Sequence, residues 1–235
     1  MYFDSHAHLD DAHFDGDRAA ILDDLKNHGV TMVMNVGCDL PSSERSVRLA
    51  EQYPFLYAAV GSHPDDADHV DGALLARYRA LCASPRVRAI GEIGLDYHYE
   101  DVPRAQQRVA FEKQLSLAGE LDLPVIVHER EAHGDAMDIL RAHPRAVHVF
   151  VAADRADRCE RLCRQCGITP GEAEARMDRE DARRAAYYNY YSSGTWGMAS
   201  TYHLCVDSSV LGIDGTVDFV LEFVERKLGV KPGAI

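Results

Sequence analysis

The chain has 235 residues, 46% hydrophobic and 27% charged, a composition typical of globular proteins and enough for one large domain or two small ones. Its formal net charge of −13 argues against sequence-independent affinity for a nucleic-acid backbone, so a nucleic-acid substrate requires bound metal or a local basic patch. The absence of a long apolar run argues against a membrane helix. The acidic first residues do not resemble a leader peptide. Without a leader peptide, the six cysteines indicate a reduced, cytoplasmic protein.

Short apolar runs alternate with amphipathic stretches through the first 143 residues. The predicted strands are Tyr2–Leu9, Val30–Val36, Leu56–Gly61, Val87–Ile93 and Pro124–His128. The predicted helices are Arg18–His28, Ser42–Gln52, Ala73–Leu81, Arg104–Leu121 and Gly134–His143. Because strands that alternate with helices of about 10–15 residues are typical of βαβ units, we expect a parallel sheet in an α/β fold.

The rest of the chain is rich in arginine and tyrosine. It predicts a strand over Ala146–Ala152, a long helical region ending at Tyr191, a strand over Tyr202–Val206 and a helix over Gly215–Leu228. Cys159, Cys163 and Cys166 have the spacing of radical-SAM iron–sulfur ligands. The same spacing also forms one face of a helix, with Gly167 placed as its C-cap, and we expect buried structural cysteines there.

Polar side chains stand at the ends of four predicted strands. His6 and His8 face the same side of the first strand because strand side chains alternate, and they form a natural pair of ligands for one metal. His63, Glu92 and His128 stand at the ends of later strands. In a parallel α/β barrel these ends converge on one rim, where active sites lie. Three histidines and a carboxylate there would suit Zn²⁺ or another first-row metal.

Four motifs follow one another in the first part of the chain. They are FDSHAHLD (Phe3–Asp10), GSHP (Gly61–Pro64), GEIGLDY (Gly91–Tyr97) and PVIVHEREA (Pro124–Ala132). Together they resemble the TatD family of metal-dependent deoxyribonucleases, and the resemblance covers residues 1 to about 147. It implies a (β/α)₈ TIM-barrel-type fold that hydrolyses phosphodiester bonds with two divalent metals, such as Zn²⁺, Mg²⁺ or Mn²⁺.

This resemblance implies a role for each matched residue. His6 and His8 would hold the first metal. Glu92 would bridge both metals and is the expected catalytic carboxylate, and His128 would hold the second metal. Such a pair of ions clamps a phosphate and produces hydroxide from bound water near neutral pH.

The resemblance also implies substrate contacts, but one motif of the family is missing from the chain. His63 and Arg130 resemble groups on the substrate side, where a guanidinium can grip a phosphate through two hydrogen bonds. The family's Glu-Thr-Asp motif, whose aspartate completes the first metal site, is absent from this chain. His148 is a candidate for the missing second-metal histidine, and Asp207 is a candidate for the missing aspartate.

Another resemblance begins after residue 147. The segments Tyr187–Tyr191, Gly194–Gly197 and Tyr202–Gly212 resemble the C-terminal half of the cytidylate kinase-like family of P-loop phosphotransferases. No GxxxxGK[ST] loop occurs in the chain, so kinase activity is not expected. We therefore expect an incomplete barrel over residues 1–147, fused to a kinase-like α/β segment over residues 148–235.

These observations are compatible with three alternative interpretations of function. The expected one is a metal-dependent hydrolase acting on DNA or another phosphodiester, with no membrane association and no stable protein partner. A nucleotide-binding, kinase-like protein is the second. The third is an inactive chimera of the two parts, because five of eight strands do not close a barrel in the usual way and leave sheet edges exposed.

Overall fold

The structure is a computed structural model that describes residues 2–99, 101–191 and 194–229. The chain divides into two compact units, Met1–Ala132 and His133–Ile235. This division falls inside the segment that the motifs predict as a single hydrolase-like domain. The domain boundary near residue 147 therefore stays a prediction.

The first unit contains a five-stranded parallel sheet whose strands lie in chain order. The strands are β1 (Tyr2–Ala7), β2 (Val30–Val36), β3 (Leu56–Val60), β4 (Val87–Asp96) and β5 (Val125–Arg130). The helices between them are α1 (Arg18–Asp24), α2 (Leu40–Gln52), α3 (Gly72–Leu81) and α4 (Arg104–Leu121), with short 3₁₀ helices at Ala12–Phe14, Leu25–His28 and Pro64–His69. The predicted parallel βαβ units are confirmed, and this strand order is that of a (β/α) barrel.

Local signals in the sequence explain several of these boundaries. The predicted helix over Arg18–His28 consists of α1 and a 3₁₀ turn, and it ends as expected at Gly29, whose φ of 77° is left-handed. Helix α2 begins two residues before the predicted start because Asp39 is its N-cap and accepts a hydrogen bond from the Ser42 N–H at 2.6 Å. Strand β2 and helix α4 have the predicted bounds.

The core of the first unit surrounds the central strands. All but one residue of β4 are buried, as expected for a parallel strand that is covered on both faces. One cluster of buried side chains joins three strands and consists of Met34, Val36, Ala59 and Ala89, with Tyr57 and Ile126 packed against it. In contrast, β1 lies at an edge of the sheet and is exposed over most of its length.

The second unit contains a separate two-stranded parallel sheet. Its elements are α5 (His133–Ala142), β6 (Val149–Ala152), α6 (Arg155–Cys166), α7 (Pro170–Tyr191), a 3₁₀ helix (Ala199–Thr201), β7 (Leu204–Asp207) and α8 (Ser208–Leu228). Helix α8 begins seven residues before its predicted start at Gly215, and its backbone leaves helical geometry at Gly212. None of the described helices is long and apolar enough to cross a membrane.

The cysteines of α6 correct one expectation. The helix ends as predicted at Gly167, whose N–H donates to the Cys163 carbonyl oxygen at 2.9 Å. The prediction of buried cysteines is wrong, since Cys166 is exposed and Cys159 and Cys163 are only partly covered. The physical reason is that α6 carries many charges and buries none of its residues.

A close approach of β4 to β5 generates a testable prediction. Gly94 has a φ of 145°, and a β-carbon there would lie 2.0 Å from the carbonyl oxygen of His128. We expect Gly94→Ala to lower the free energy of unfolding by about 2 kcal/mol or more, because strain and a backbone clash act together. Urea unfolding measures the loss. Gly72→Ala is the control, since a β-carbon there meets nothing within 4 Å, and equal stability of the two variants would contradict the prediction.

Candidate metal centre

Glu92 is the central residue of the candidate site. It lies in β4 and is only 9% exposed. Its Oε2 atom is 3.2 Å from His6 Nε2 and 3.6 Å from His8 Nε2. Its Oε1 atom is 3.0 Å from His128 Nδ1. The two oxygens of one carboxylate therefore face two different sets of histidines.

The first set consists of His6, His8 and Glu92. The Nε2 atoms of the two histidines are 3.2 Å apart, and all three residues offer ligand atoms within 4.8 Å of one another. His8 Nδ1 donates to the carbonyl oxygen of Val36 at 2.8 Å, because a carbonyl oxygen can only accept. The proton of a neutral His8 is thereby held on Nδ1, and the lone pair of Nε2 faces the site.

The second set consists of His63, Glu92 and His128, which also offer ligand atoms within 4.8 Å of one another. The rings of His63 and His128 have centroids 4.2 Å apart. His128 Nε2 lies 2.9 Å from Asp96 Oδ2. Both ring nitrogens of His128 therefore face carboxylates, which hold its ring in one orientation.

The charges of the site follow from these contacts. Burial would raise the pKa of Glu92, but its hydrogen bond with His128 and the nearby histidine charges outweigh burial and lower that pKa to about 2. The hydrogen bond to Glu92, helped by Asp96, raises the pKa of His128. Burial and the charge of His128 lower the pKa of His63. Glu92 is thus an anion at neutral pH, whereas a metal at His128 competes with a proton.

The donor chemistry of both sets fits a divalent metal ion. Two imidazole nitrogens and one carboxylate oxygen are the ligands that Zn²⁺ and other first-row metals take from proteins. His6 and His8 with Glu92 Oε2 would hold one ion. His128 with Glu92 Oε1 would hold another, and His63 is close enough to be a ligand of it as well as a substrate contact.

Arg130 lies outside both sets of histidines. It ends β5, where it pairs in register with Asp96 of β4. Its guanidinium carbon is 5.0 Å from the ring centroid of Tyr99, and hydrogen bonding to that tyrosine raises the pKa of Arg130. The side chain is exposed and therefore accessible to a phosphate group. Its role as a substrate contact stays a prediction.

His148 and Asp207 lie in the second unit and have partners there. The backbone N–H of His148 donates to His203 Nδ1 at 3.0 Å, and the two rings have centroids 5.1 Å apart. Asp207 is the N-cap of α8, where its carboxylate accepts from the N–H of Ser209 at 2.9 Å. The metal-binding roles of His148 and Asp207 stay predictions.

Sequence reasoning missed Asp96 as part of the site. Its side chain is buried, 2% exposed, and orients the His128 ring from the side opposite Glu92. A signal for it exists, because Glu92 and Asp96 are four residues apart in one strand and so face the same side. The pairing itself depends on the register between β4 and β5.

Asp10 was also missed, and it supports the histidine pair from behind. Its buried carboxylate accepts from Asn35 Nδ2 at 2.9 Å and from Ser42 Oγ at 2.6 Å. The same Asn35 accepts from the N–H of Leu9 at 2.5 Å. These bonds tie the segment that follows His8 to β2 and α2, and they position the first set of ligands.

This arrangement predicts a linked loss of stability and metal binding. Asp10→Ala should lower the free energy of unfolding by about 1–3 kcal/mol, because it leaves buried polar partners unsatisfied. It should also weaken metal binding, since the His6 and His8 segment loses its support. Thermal unfolding and metal titration measure the two effects. Asp23→Ala removes an exposed carboxylate and is the control, and an Asp10 variant as stable as that control would contradict the prediction.

A protein-family model matches most of the chain. The model of the family described as "TatD related DNase" matches residues 3–193. This corrects the expectation that the resemblance ends near residue 147, because the match continues through β6, α6 and α7.

Individual relatives agree with that family. "Uncharacterized metal-dependent hydrolase YabD" of Bacillus subtilis is 40% identical over 141 residues, which are 60% of this chain and 55% of that protein. "3'-5' ssDNA/RNA exonuclease TatD" of Musicola paradisiaca is 35% identical over 174 residues, 71% of this chain and 66% of that protein. The chain thus spans less than two thirds of the length of either relative.

A solved structure supports the fold. The crystal structure of YJJV, a TatD homologue from Escherichia coli K12, matches with a TM-score of 0.58 and 32% sequence identity. The match covers 69% of this chain and 64% of that chain. The α/β architecture with a parallel, barrel-type sheet is therefore shared with a solved relative.

Proposed function

Because the chain belongs to the family of TatD-related DNases, we propose that it is a metal-dependent hydrolase that cleaves phosphodiester bonds in single-stranded nucleic acid. The observation that carries this proposal is the Glu92 carboxylate, whose two oxygens face His6 and His8 on one side and His128 on the other. The substrate class comes from a relative, whose name describes it as an ssDNA/RNA exonuclease.

The chain's own groups fit this chemistry. Divalent ions in such a centre activate water as a nucleophile and neutralise phosphate charge. Glu92, ionised at neutral pH, supplies one oxygen to each set of ligands, while the hydrogen bond to Val36 orients His8. Asp96 fixes the ring of His128. Arg130 at the end of β5 would bind a non-bridging phosphate oxygen through its guanidinium.

The finer features of this proposal are two bound ions and a cytoplasmic location. Zn²⁺, Mg²⁺ and Mn²⁺ are the candidate metals, and the histidine-rich donor set favours Zn²⁺ over Mg²⁺ and Mn²⁺. DNA or another phosphodiester is the proposed substrate and binding partner. We expect weak activity, because the missing Glu-Thr-Asp aspartate leaves the first metal short of a ligand, and even the loss of a group that only orients a ligand costs about 10–100-fold.

Metal binding is the first test. We predict one to two divalent ions per chain after chelator treatment and reloading, and a large loss in the His6→Ala/His8→Ala double variant. The affinity should fall below about pH 6, because an imidazole must be neutral to bind a metal. Elemental analysis measures the content. The double variant His13→Ala/His28→Ala removes two exposed histidines as a control, and equal metal content in all three proteins would contradict the site.

Hydrolysis is the second test. Metal-loaded protein should shorten a single-stranded DNA oligonucleotide slowly, and Glu92→Gln should abolish the cleavage, because a neutral amide cannot bridge two cations as a carboxylate does. Glu112→Gln, an exposed change in α4, should leave the rate unaltered. Cleavage that survives Glu92→Gln would overturn the proposal. A protein that is poorly soluble or binds hydrophobic dyes, and that shows no cleavage, would instead support the inactive chimera.

The kinase-like alternative for residues 148–235 has a direct test. The chain lacks the loop that would cradle a nucleotide phosphate, so we expect no ATP-dependent phosphorylation of CMP. The family match through residue 193 points to the hydrolase for much of that segment. Measurable phosphorylation of CMP would show that a nucleotide site exists in this part of the chain.

A further inference from the structure

Helix α7 carries an exposed face of arginines and tyrosines. We define this basic–aromatic face as Arg176, Arg179, Arg183, Tyr187 and Tyr190. At about 100° per residue these five positions fall within about 80° of the helix circumference. All five are exposed, and Tyr190 is 81% exposed. The buried residues Ala173, Met177 and Tyr188 lie on an adjacent side of α7, about 40–100° around the helix from the edge of the face at Tyr187.

Most acidic side chains of α7 point away from this face or are already engaged. Asp178 accepts from Arg155 of α6 at 2.6 Å, and Asp181 accepts from Arg158 at 2.7 Å. These two bonds connect α6 and α7. They remove two carboxylates from competition with a bound anion, so the arginines of the face dominate the local charge.

The remaining carboxylates near the face are weak competitors. Glu172 accepts hydrogen bonds from the N–H and the hydroxyl of Thr169 at the start of α7. Glu180 is 3.0 Å from Arg183 in a solvent-exposed pair, and such pairs contribute little. Within the part of the chain that the structure describes, Arg176 and Arg179 form no ion pair.

We propose that the basic–aromatic face of α7 binds single-stranded nucleic acid, with the guanidinium groups on phosphates and the tyrosine rings stacked on bases. Arginine binds phosphate oxygens in a planar geometry, and exposed aromatic rings stack on any base. From Arg176 to Tyr190 the face is about 21 Å long, so it can follow several nucleotides. The arginines alone would suit several kinds of polyanion, and the identification of the ligand as nucleic acid rests on the proposed function.

The proposal can be tested on the full chain while EDTA keeps divalent metal ions out of the metal centre. Fluorescence anisotropy in EDTA measures binding of the full chain to a labelled oligo-dT of about 12 nucleotides. The triple variant Arg176→Gln/Arg179→Gln/Arg183→Gln should bind at least about tenfold more weakly. It should also make the slope of log affinity against log salt shallower by about 2, as expected from three lost phosphate contacts on a single strand.

A matched triple variant distinguishes the effect of this face on binding from the effect of the total charge of the protein. Arg48→Gln/Arg164→Gln/Arg226→Gln removes three exposed arginines from α2, α6 and α8. It should bind the oligonucleotide within about twofold of the unaltered protein, because these positions are scattered. Circular dichroism and thermal unfolding check that both triple variants fold.

Tyr190 provides a separate readout of stacking. Tyr190→Ala should weaken binding by about fivefold or more, whereas Tyr190→Phe should keep it, because stacking needs the ring and not the hydroxyl. Binding that is unchanged in the arginine triple variant would overturn the proposal and favour a protein partner for this face. Equal losses in both triple variants would overturn it as well, since binding would then follow total charge.

The design separates two failures. Binding in EDTA that depends on the basic–aromatic face, together with no metal-dependent cleavage, would support this inference and contradict the proposed hydrolysis. Cleavage that requires Glu92, together with binding that does not depend on the basic–aromatic face, would support the proposed hydrolysis and contradict this inference.

Discussion

The structure of the site depends on one buried carboxylate that two sets of histidines share. An ionised Glu92 is costly to bury unless cationic groups or metals compensate it. The partners come from β1 and β5, although β1 is three strands away from β4 in the sheet. Three spacings of about 4.8 Å would separate these strands by about 14 Å in a flat sheet. A contact of 3.2 Å between His6 and Glu92 therefore requires a sheet that curls toward the site, as barrel sheets do.

The two halves of the site are supported unequally. His128 and Glu92 belong to strands joined in register, and the buried Asp96 holds the imidazole from behind. His6 belongs to an edge strand that is mostly exposed and His8 follows directly after it, and their support comes from hydrogen bonds behind them. Because a ligand must be held still to bind a metal tightly, the second set is better preorganised than the first. An occupied first set would in turn stabilise the edge strand, since binding adds to folding free energy.

The sequence predicted what depends on local pattern. The bounds of β2 and α4 follow from apolar periodicity and from nearby breaks in it. The extension of β4 to Asp96 was not predictable in this way, because it depends on pairing with β5. Within the site, the residue types at the strand ends indicated a metal centre, whereas the Asp96–His128 pairing required the register. The exposure of Cys166 depends on what covers α6, which periodicity within the helix does not show.

The acidity of the chain can be reconciled with the proposed nucleic-acid substrate. Charges farther away than about 8–10 Å are largely screened at physiological ionic strength, so a phosphate responds to its immediate surroundings. The two proposed sites offer favourable surroundings: the centre around Glu92 when it holds metal, and the basic–aromatic face of α7, where Arg155 and Arg158 neutralise nearby carboxylates. Elsewhere the excess of acidic residues repels phosphates. The net charge of −13 therefore disfavours non-specific binding of nucleic acid, so that a bound strand is expected only at the two proposed sites.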